Sequence, residues 1–212
     1  LDGTVEVVEV EPRAGVGLCA LRAEGVKRAR GKKVAVLGSR YSIGKAWLKA
    51  AAESEWDVAT GAIRAGKLGY WGWVVYLSEY ARLAPGGATG AVDFRMVAGA
   101  NAVYRREVIN EEVLAKCLTE MEFHAVLAKS GRRAGRVAEL EAAYEAAPSV
   151  GEYVGERFRF SVAIARARGE RWRALAAPLL PVLVLWRAAR WAAGMRLRVL
   201  VCAPGILAMG VV

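Results

Sequence analysis

The sequence predicts an α/β protein: a mixed sheet with flanking helices, followed by C-terminal membrane-associated helices. Two observations carry the first half. Apolar β-branched runs alternate with amphipathic stretches of helical spacing over residues 18–63, and Gly- and Pro-containing segments punctuate them. A third observation carries the second half. From Arg157 to Arg198 every cation is Arg and Glu170 is the only acid, around long apolar runs. The division falls near residue 150, giving segments 1–150 and 151–212.

Taken in order, Thr4–Val10 is β-branched and partly alternating, and reads as a strand. Glu11–Gly17 is a loop. Leu18–Arg30 reads as a basic amphipathic helix with Leu18, Leu21, Gly25, Val26 and Ala29 on one face, stopped by Gly31. Lys33–Leu37 (Lys-Val-Ala-Val-Leu) reads as a buried strand, with Gly38, Ser39, Arg40 and Tyr41 as the loop at its carboxyl end. Ala46–Glu53 is a helix and Trp56–Ile63 a strand. Strand–helix alternation of this kind implies right-handed crossovers, with ligands beyond the carboxyl ends of the strands.

Residues 67–84 are aromatic: Tyr70, Trp71, Trp73, Tyr76 and Tyr80. Rings at this spacing serve either as an acceptor platform for a sugar or lipid or as the packed side of a helix. Pro85–Gly90 is a loop. Met96–Arg106 is an apolar run broken by a Gly99-Ala100-Asn101 turn and continuing as a strand or helix start with two Arg. Thr119–Leu127 reads as a helix carrying Glu120, Glu122 and His124. Such a turn brings backbone and an amide close to a polar ligand, and a carboxylate at a helix head suits a general base. Glu139–Ala147 reads as a short polar piece ending before Pro148. Ala174–Trp186 is an apolar run short of the roughly 20 residues a spanning helix needs unless extended to Ala193 through Arg187 and Arg190, and Val199–Val212 is a second apolar run. They read as a membrane-associated helical hairpin, interfacial or shallowly spanning.

The net charge of +10 calls for an anionic partner: nucleic acid, a membrane surface or a phosphorylated substrate. No nucleic-acid reader motif is present, and much of the Arg excess flanks apolar runs. Three widely spaced cysteines and one histidine form no metal-ligand pattern, and fit a reducing compartment. The chain opens on Leu1 and closes within an apolar run, so the reading expects a longer parent chain.

Gly99-Ala100-Asn101-Ala102-Val103-Tyr104-Arg105-Arg106, with Glu120 and Glu122 at the head of a helix about twenty residues on, resembles family 2 glycosyltransferases. Those enzymes carry Gly-x-Asn-x-x-(Tyr/Phe)-Arg-Arg and then an acidic helix holding the catalytic base. Upstream, Gly15-Val16-Gly17, Arg22, Ala29-Arg30-Gly31, Val34-Ala35-Val36-Leu37 and Trp47-Leu48 extend the resemblance. It implies a GT-A-like (Rossmann-like) fold and transfer of a sugar from a nucleotide-sugar to a lipid-linked or glycan acceptor of the cell envelope. The place would be the cytoplasmic face of the cell membrane. It makes Glu120 the base, puts Arg22, Gly38, Ser39 and Arg40 at the donor diphosphate, and puts Gly99, Asn101, Tyr104, Arg105, Glu122 and His124 on the acceptor side.

The chain departs from the family at three points. The acidic cluster that holds Mg²⁺ or Mn²⁺ is replaced by Gly38-Ser39-Arg40, so either Arg40 supplies the counter-charge or the site is degraded. Tyr144 stands near where many members have a His. The family's opening strand and its nucleotide-base Asp have no counterpart. A non-catalytic glycosyltransferase-like membrane protein, binding a partner or sugar, is the alternative.

Overall fold

The computed structural model describes residues 5–11, 13, 15–158, 180–191 and 193–209. The helices are α1 (Leu18–Arg28), α2 (Lys45–Glu53), α3 (Tyr70–Tyr80), α4 (Glu111–Lys116), α5 (Glu120–Lys129), α6 (150–158), α7 (Leu180–Trp191) and α8 (Arg196–Met209). The strands are β1 (Lys33–Leu37), β2 (Tyr41–Ile43), β3 (Val58–Thr60), β4 (Ile63–Ala65), β5 (Gly90–Val92), β6 (Asn101–Arg105), β7 (Ala134–Arg136) and β8 (Ala142–Tyr144). The chain is therefore mixed α/β, with mixed sheets and flanking helices, and it divides into two compact units.

The first unit comprises Leu1–Ser39, Ile43–Ala62 and Pro85–Ala142. Its five-stranded sheet has the order β1-β6-β3-β7-β5. β6 runs antiparallel to β1, with Leu37 opposite Asn101, and antiparallel to β3, with Thr60 opposite Ala102. Only β3 and β7 are parallel, and β5 closes the far edge antiparallel to β7.

Side chains alternate across β6, as a pleated strand requires. Ala102 and Tyr104 join one core with Cys19, Ala23 and Val26 of α1, Leu114 of α4, and Phe123 and Leu127 of α5. Val103 joins the opposite core with Trp47 and Ala51 of α2 and with Leu140. β1 is an edge strand with Ala35 and Leu37 exposed, and Lys33 Nζ donates to the terminal α2 carbonyls of Ala51 (3.1 Å) and Ala52 (2.6 Å).

The second unit comprises Arg40–Ser42, Ile63–Ala84 and Ala143–Val212. It holds most of a short sheet of order β2-β8-β4. Tyr41, Tyr80 and Tyr144 stack there with centroids 5.1–5.9 Å apart. α3 is packed by its own aromatics. Tyr76 donates to Ile63 O (2.8 Å), Trp71 Nε1 donates to Pro148 O (2.7 Å), and the Arg198 guanidinium lies 4.6 Å over Trp73. The packed reading of these rings therefore holds for Trp71, Trp73 and Tyr76, whereas Tyr70 is exposed. Ser149 and Glu152 form a reciprocal capping box that starts α6.

Several elements differ from expectation. Residues 5–10 extend the chain without pairing, because an alternating pattern is a strand only where a neighbouring ladder receives it. α1 ends at Arg28, and its buried stripe is Cys19, Ala23 and Val26, with Leu18 exposed. The stretch 56–63 is two strands of different sheets, β3 and β4. Within 139–147, a 3₁₀ turn at Ala138–Leu140 leads into the fully buried β8. The helical hairpin exists as α7 and α8 where described, while residues 174–179 and 210–212 of the two apolar runs lie outside the described residues. Among the described residues no helix is long and apolar enough to cross a membrane.

Candidate functional site

α5 is the best-fixed helix of the first unit. Thr119 Oγ1 accepts the Glu122 N–H (3.2 Å), and the Glu122 carboxylate accepts the Leu118 N–H (2.8 Å). At the other end Gly131, with φ of 71°, ends the helix in a Schellman arrangement. Its N–H reaches Ala128 O (3.1 Å) and the Arg132 N–H reaches Leu127 O (3.2 Å). Between these caps, Glu120 occupies the first helical position.

The Glu120 carboxylate is paired with the Arg22 guanidinium of α1. It also occupies the space that a Cβ on Gly99 would fill. Only glycine at 99 lets the carboxylate lie against that turn. The Gly99-Ala100 turn is held from β1, since the Gly38 N–H donates to Ala100 O at 3.1 Å. Arg22, Gly38, Gly99 and Glu120, separated by up to about a hundred residues in sequence, are thus brought together. Arg22 and Glu120 side chains are 14% and 28% exposed, so the pair opens to solvent on the Glu120 side more than on the Arg22 side. Behind them Val26, Val36, Tyr104, Ile109, Leu114 and Phe123 leave a void of about 10 Å³, at the lower limit for one water.

The remaining predicted residues do other work. Asn101 is buried, and its amide is committed to the interior. Its Oδ1 accepts from Trp47 Nε1 (3.0 Å), and its Nδ2 donates to Leu140 O (2.7 Å) and Ala62 O (3.4 Å). The Asn101 amide, expected on the acceptor side, ties the turn to Trp47 of α2, to Ala62 and to the 138–140 turn. Tyr104 and His124 are buried partners of each other, with Tyr104 Oη 2.8 Å from His124 Nε2. Burial also raises the Tyr104 phenol well above the ordinary range. Both side chains are buried in the first core. Arg105 lies at the other end of β6 from Gly99, where it bonds Glu55 O (2.6 Å), and Glu122 is a cap. Ser39 is exposed beyond β1. Arg40 belongs to the second unit, where its carbonyl accepts from the Glu145 N–H (3.0 Å) and its guanidinium lies 4.0 Å from Glu156.

Two residues hold this turn that sequence reasoning did not single out for the site. Thr60 Oγ1 accepts the Ala98 N–H (3.1 Å) and donates to Asn101 O (3.0 Å), and Trp47 anchors the Asn101 amide. The signal for Thr60 was a lone hydroxyl within an apolar strand.

A divalent cation has no ligand set here. Gly38, Ser39 and Arg40 offer no carboxylate, and no group of three His, Cys, Asp or Glu among the described residues is placed to hold a metal. No family model matches the chain, and no curated protein matches it at a significant level.

Proposed function

We propose that this chain is part of a glycosyltransferase of family 2 type with a GT-A-like fold. It would transfer a sugar from a nucleotide-sugar to a lipid-linked or cell-envelope acceptor at the cytoplasmic face of a membrane. The observation that supports this reading most is the contact of Glu120, at the capped head of α5, with Gly99 and Arg22. The resemblance puts Glu120 and Gly99 at one acceptor and Arg22 at the donor diphosphate, and their proximity is compatible with those roles.

In this reading Glu120 accepts the proton of the acceptor hydroxyl as its oxygen attacks the anomeric carbon. The configuration inverts, and the nucleoside diphosphate departs with the bond pair. Arg22 holds the carboxylate in position beforehand. Once Glu120 is protonated its hold on Arg22 weakens, and a guanidinium charge becomes available for the departing diphosphate. Gly38 and Ser39 supply the diphosphate loop. Among the described residues, the side chains around this site form no donor set that fits a metal.

The test is release of nucleoside diphosphate from a panel of nucleotide-sugars, with a polyprenyl phosphate or glycan acceptor, with and without Mn²⁺. Glu120→Gln should lower turnover by roughly 10²- to 10⁴-fold; unchanged turnover removes Glu120 from the chemistry.

A second reading is a non-catalytic relative that binds a sugar or partner. The missing carboxylates at 38–40, together with the interior commitment of Asn101, Tyr104 and His124, favour it. A parent protein inert with every donor, with metal-dependent donor turnover appearing in Ser39→Asp/Arg40→Asp, would select this reading.

A further inference from the structure

The second unit has an apolar surface that its own fold leaves uncovered. α8 turns Val199, Cys202 and Ile206 inward, and there Gly205 passes so close to α3 that a Cβ on it would lie 2.7 Å from Val74 Cγ2. At 100° per residue, Leu197, Leu200, Val201, Pro204, Leu207 and Ala208 fall within an arc of about 120° on the opposite side. All six are exposed, with Leu197 at 75%, Leu200 at 72% and Val201 at 57%. α7 adds exposed Val182, Leu183 and Trp186.

The charges around this surface have one sign. Arg187, Arg190, Arg196 and Arg198 are the only charged residues between 180 and 209, and all four are exposed. By helical phase, Arg196 and Arg198 flank the α8 arc, one on each side. On α7 the Arg190 guanidinium stacks on the exposed Trp186 at 5.4 Å, and Trp191 is exposed at the same end of the helix. Aromatic rings beside Arg at the border of an apolar face suit a boundary between hydrocarbon and phosphate.

We infer that the outer face of α7 and α8 docks in the plane of a membrane rich in anionic phospholipid. The α8 arc, Leu183 and Trp186 enter the upper acyl region, and Arg187, Arg190 and Arg196 meet headgroup phosphates, while Arg198 lies over Trp73. Over the described residues these helices are too short for a crossing. At 1.5 Å per residue α7 spans about 18 Å and α8 about 21 Å, against a hydrocarbon core of about 30 Å. A second copy of the chain is the poorer occupant, because a two-fold contact through this face would set Arg against Arg with no acid between 180 and 209 to offset them. The docking surface stands apart from the transfer chemistry: Glu120→Gln should bind vesicles as the parent does, so either idea can fail alone.

The experiment is co-sedimentation of the full chain with phosphatidylcholine vesicles, with and without phosphatidylglycerol, at low salt and at about 0.5 M salt. The high-salt arm shortens the screening length to about 4 Å, so adsorption by the overall positive charge washes off while inserted apolar side chains hold. Leu197→Ser/Leu200→Ser/Val201→Ser changes no charge and no buried side chain. It should lower salt-resistant binding by roughly tenfold or more. Arg187→Gln/Arg190→Gln should remove most of the preference for phosphatidylglycerol. Three results would each overturn the inference: complete release of the parent by salt, equal retention of the triple-Ser variant, or a vesicle-free dimer of the parent that the triple-Ser variant abolishes. The last would make the face a contact between copies.

Discussion

Replacing Asn101 by Ala should cost about 4 kcal/mol of stability, and the arithmetic follows from its bonds. Trp47 Nε1 loses its acceptor at 3.0 Å and Leu140 O loses its donor at 2.7 Å, both in a fully buried setting. A buried polar group left unpaired costs about 1–3 kcal/mol, so the two together give about 2–6 kcal/mol. The bond to Ala62 O adds little: it is long at 3.4 Å, and that carbonyl keeps the Ala142 N–H at 2.9 Å. For a chain of this length each kcal/mol moves the midpoint by about 2–4 °C, so the melt should fall by roughly 8–16 °C. Asn101→Asp should do no better. It keeps an acceptor for Trp47 but turns an oxygen toward Leu140 O and buries a charge. Thermal denaturation followed by circular dichroism, with urea titration for the free energy, measures both. A loss below about 1 kcal/mol for Asn101→Ala would refute the assignment of Asn101 to the interior and return it to the ligand side.

Three further outcomes follow from the same structure. Gly61→Ala places a Cβ against the Leu140 carbonyl and 2.8 Å from Glu141 N, where only backbone can yield; it should cost about 3 kcal/mol or more, and a urea midpoint within about 1 kcal/mol of the parent would contradict the close crossing. Thr119→Ala should cost about 1 kcal/mol by uncapping α5, and amide exchange in the first turn of α5 should quicken while that of α2 does not. At alkaline pH, burial first and Tyr80 second push the Tyr144 phenol up to about 12, and burial raises Tyr153 as well. Their neutral forms are favoured by folding, so this contribution is complete below about pH 10 and is lost as pH rises toward about 12. Urea midpoints should fall over that window, less steeply in Tyr144→Phe; identical slopes would count against Tyr144.

What could be read from the sequence was whatever had a period or a cap. Lys33–Leu37 and the helices near 18–28, 45–53 and 120–129 announced themselves by β-branched runs or spacing at 3–4 residues. The three-residue strands β4 and β8 are too short to show any period. The break between β3 and β4 rests on Gly61, whose reason is tertiary: Leu140 crosses there with no room for a side chain. The capping box of Ser149 and Glu152 that starts α6 was not read in the sequence. Residues 5–10 show the opposite case, a strand-like pattern with no ladder to join.

The candidate site divides along the same line. Glu120 and Gly99 were legible because their roles depend on what they lack or expose: no Cβ at 99, a carboxylate at a helix head. Asn101, Tyr104 and His124 looked equally suited to chemistry, since a sequence shows a donor or an acceptor but not whether its partner is a ligand or the core. Here the strand phase decides. Tyr104 points toward α1 and α5 with Ala102, Val103 toward α2, and Asn101 sits where β6 leaves the turn. A polar side chain at that depth must be satisfied internally, and Trp47 and Leu140 satisfy it. Those same bonds give the turn its rigidity. Thr60 and Asn101 fix residues 98–101 to the sheet, and two caps fix α5. They approach each other where Gly99 lies against Glu120, with Arg22 beside it. Buried polar residues are therefore what hold a flexible carboxylate to one place, as the proposed base needs if it is to meet a hydroxyl.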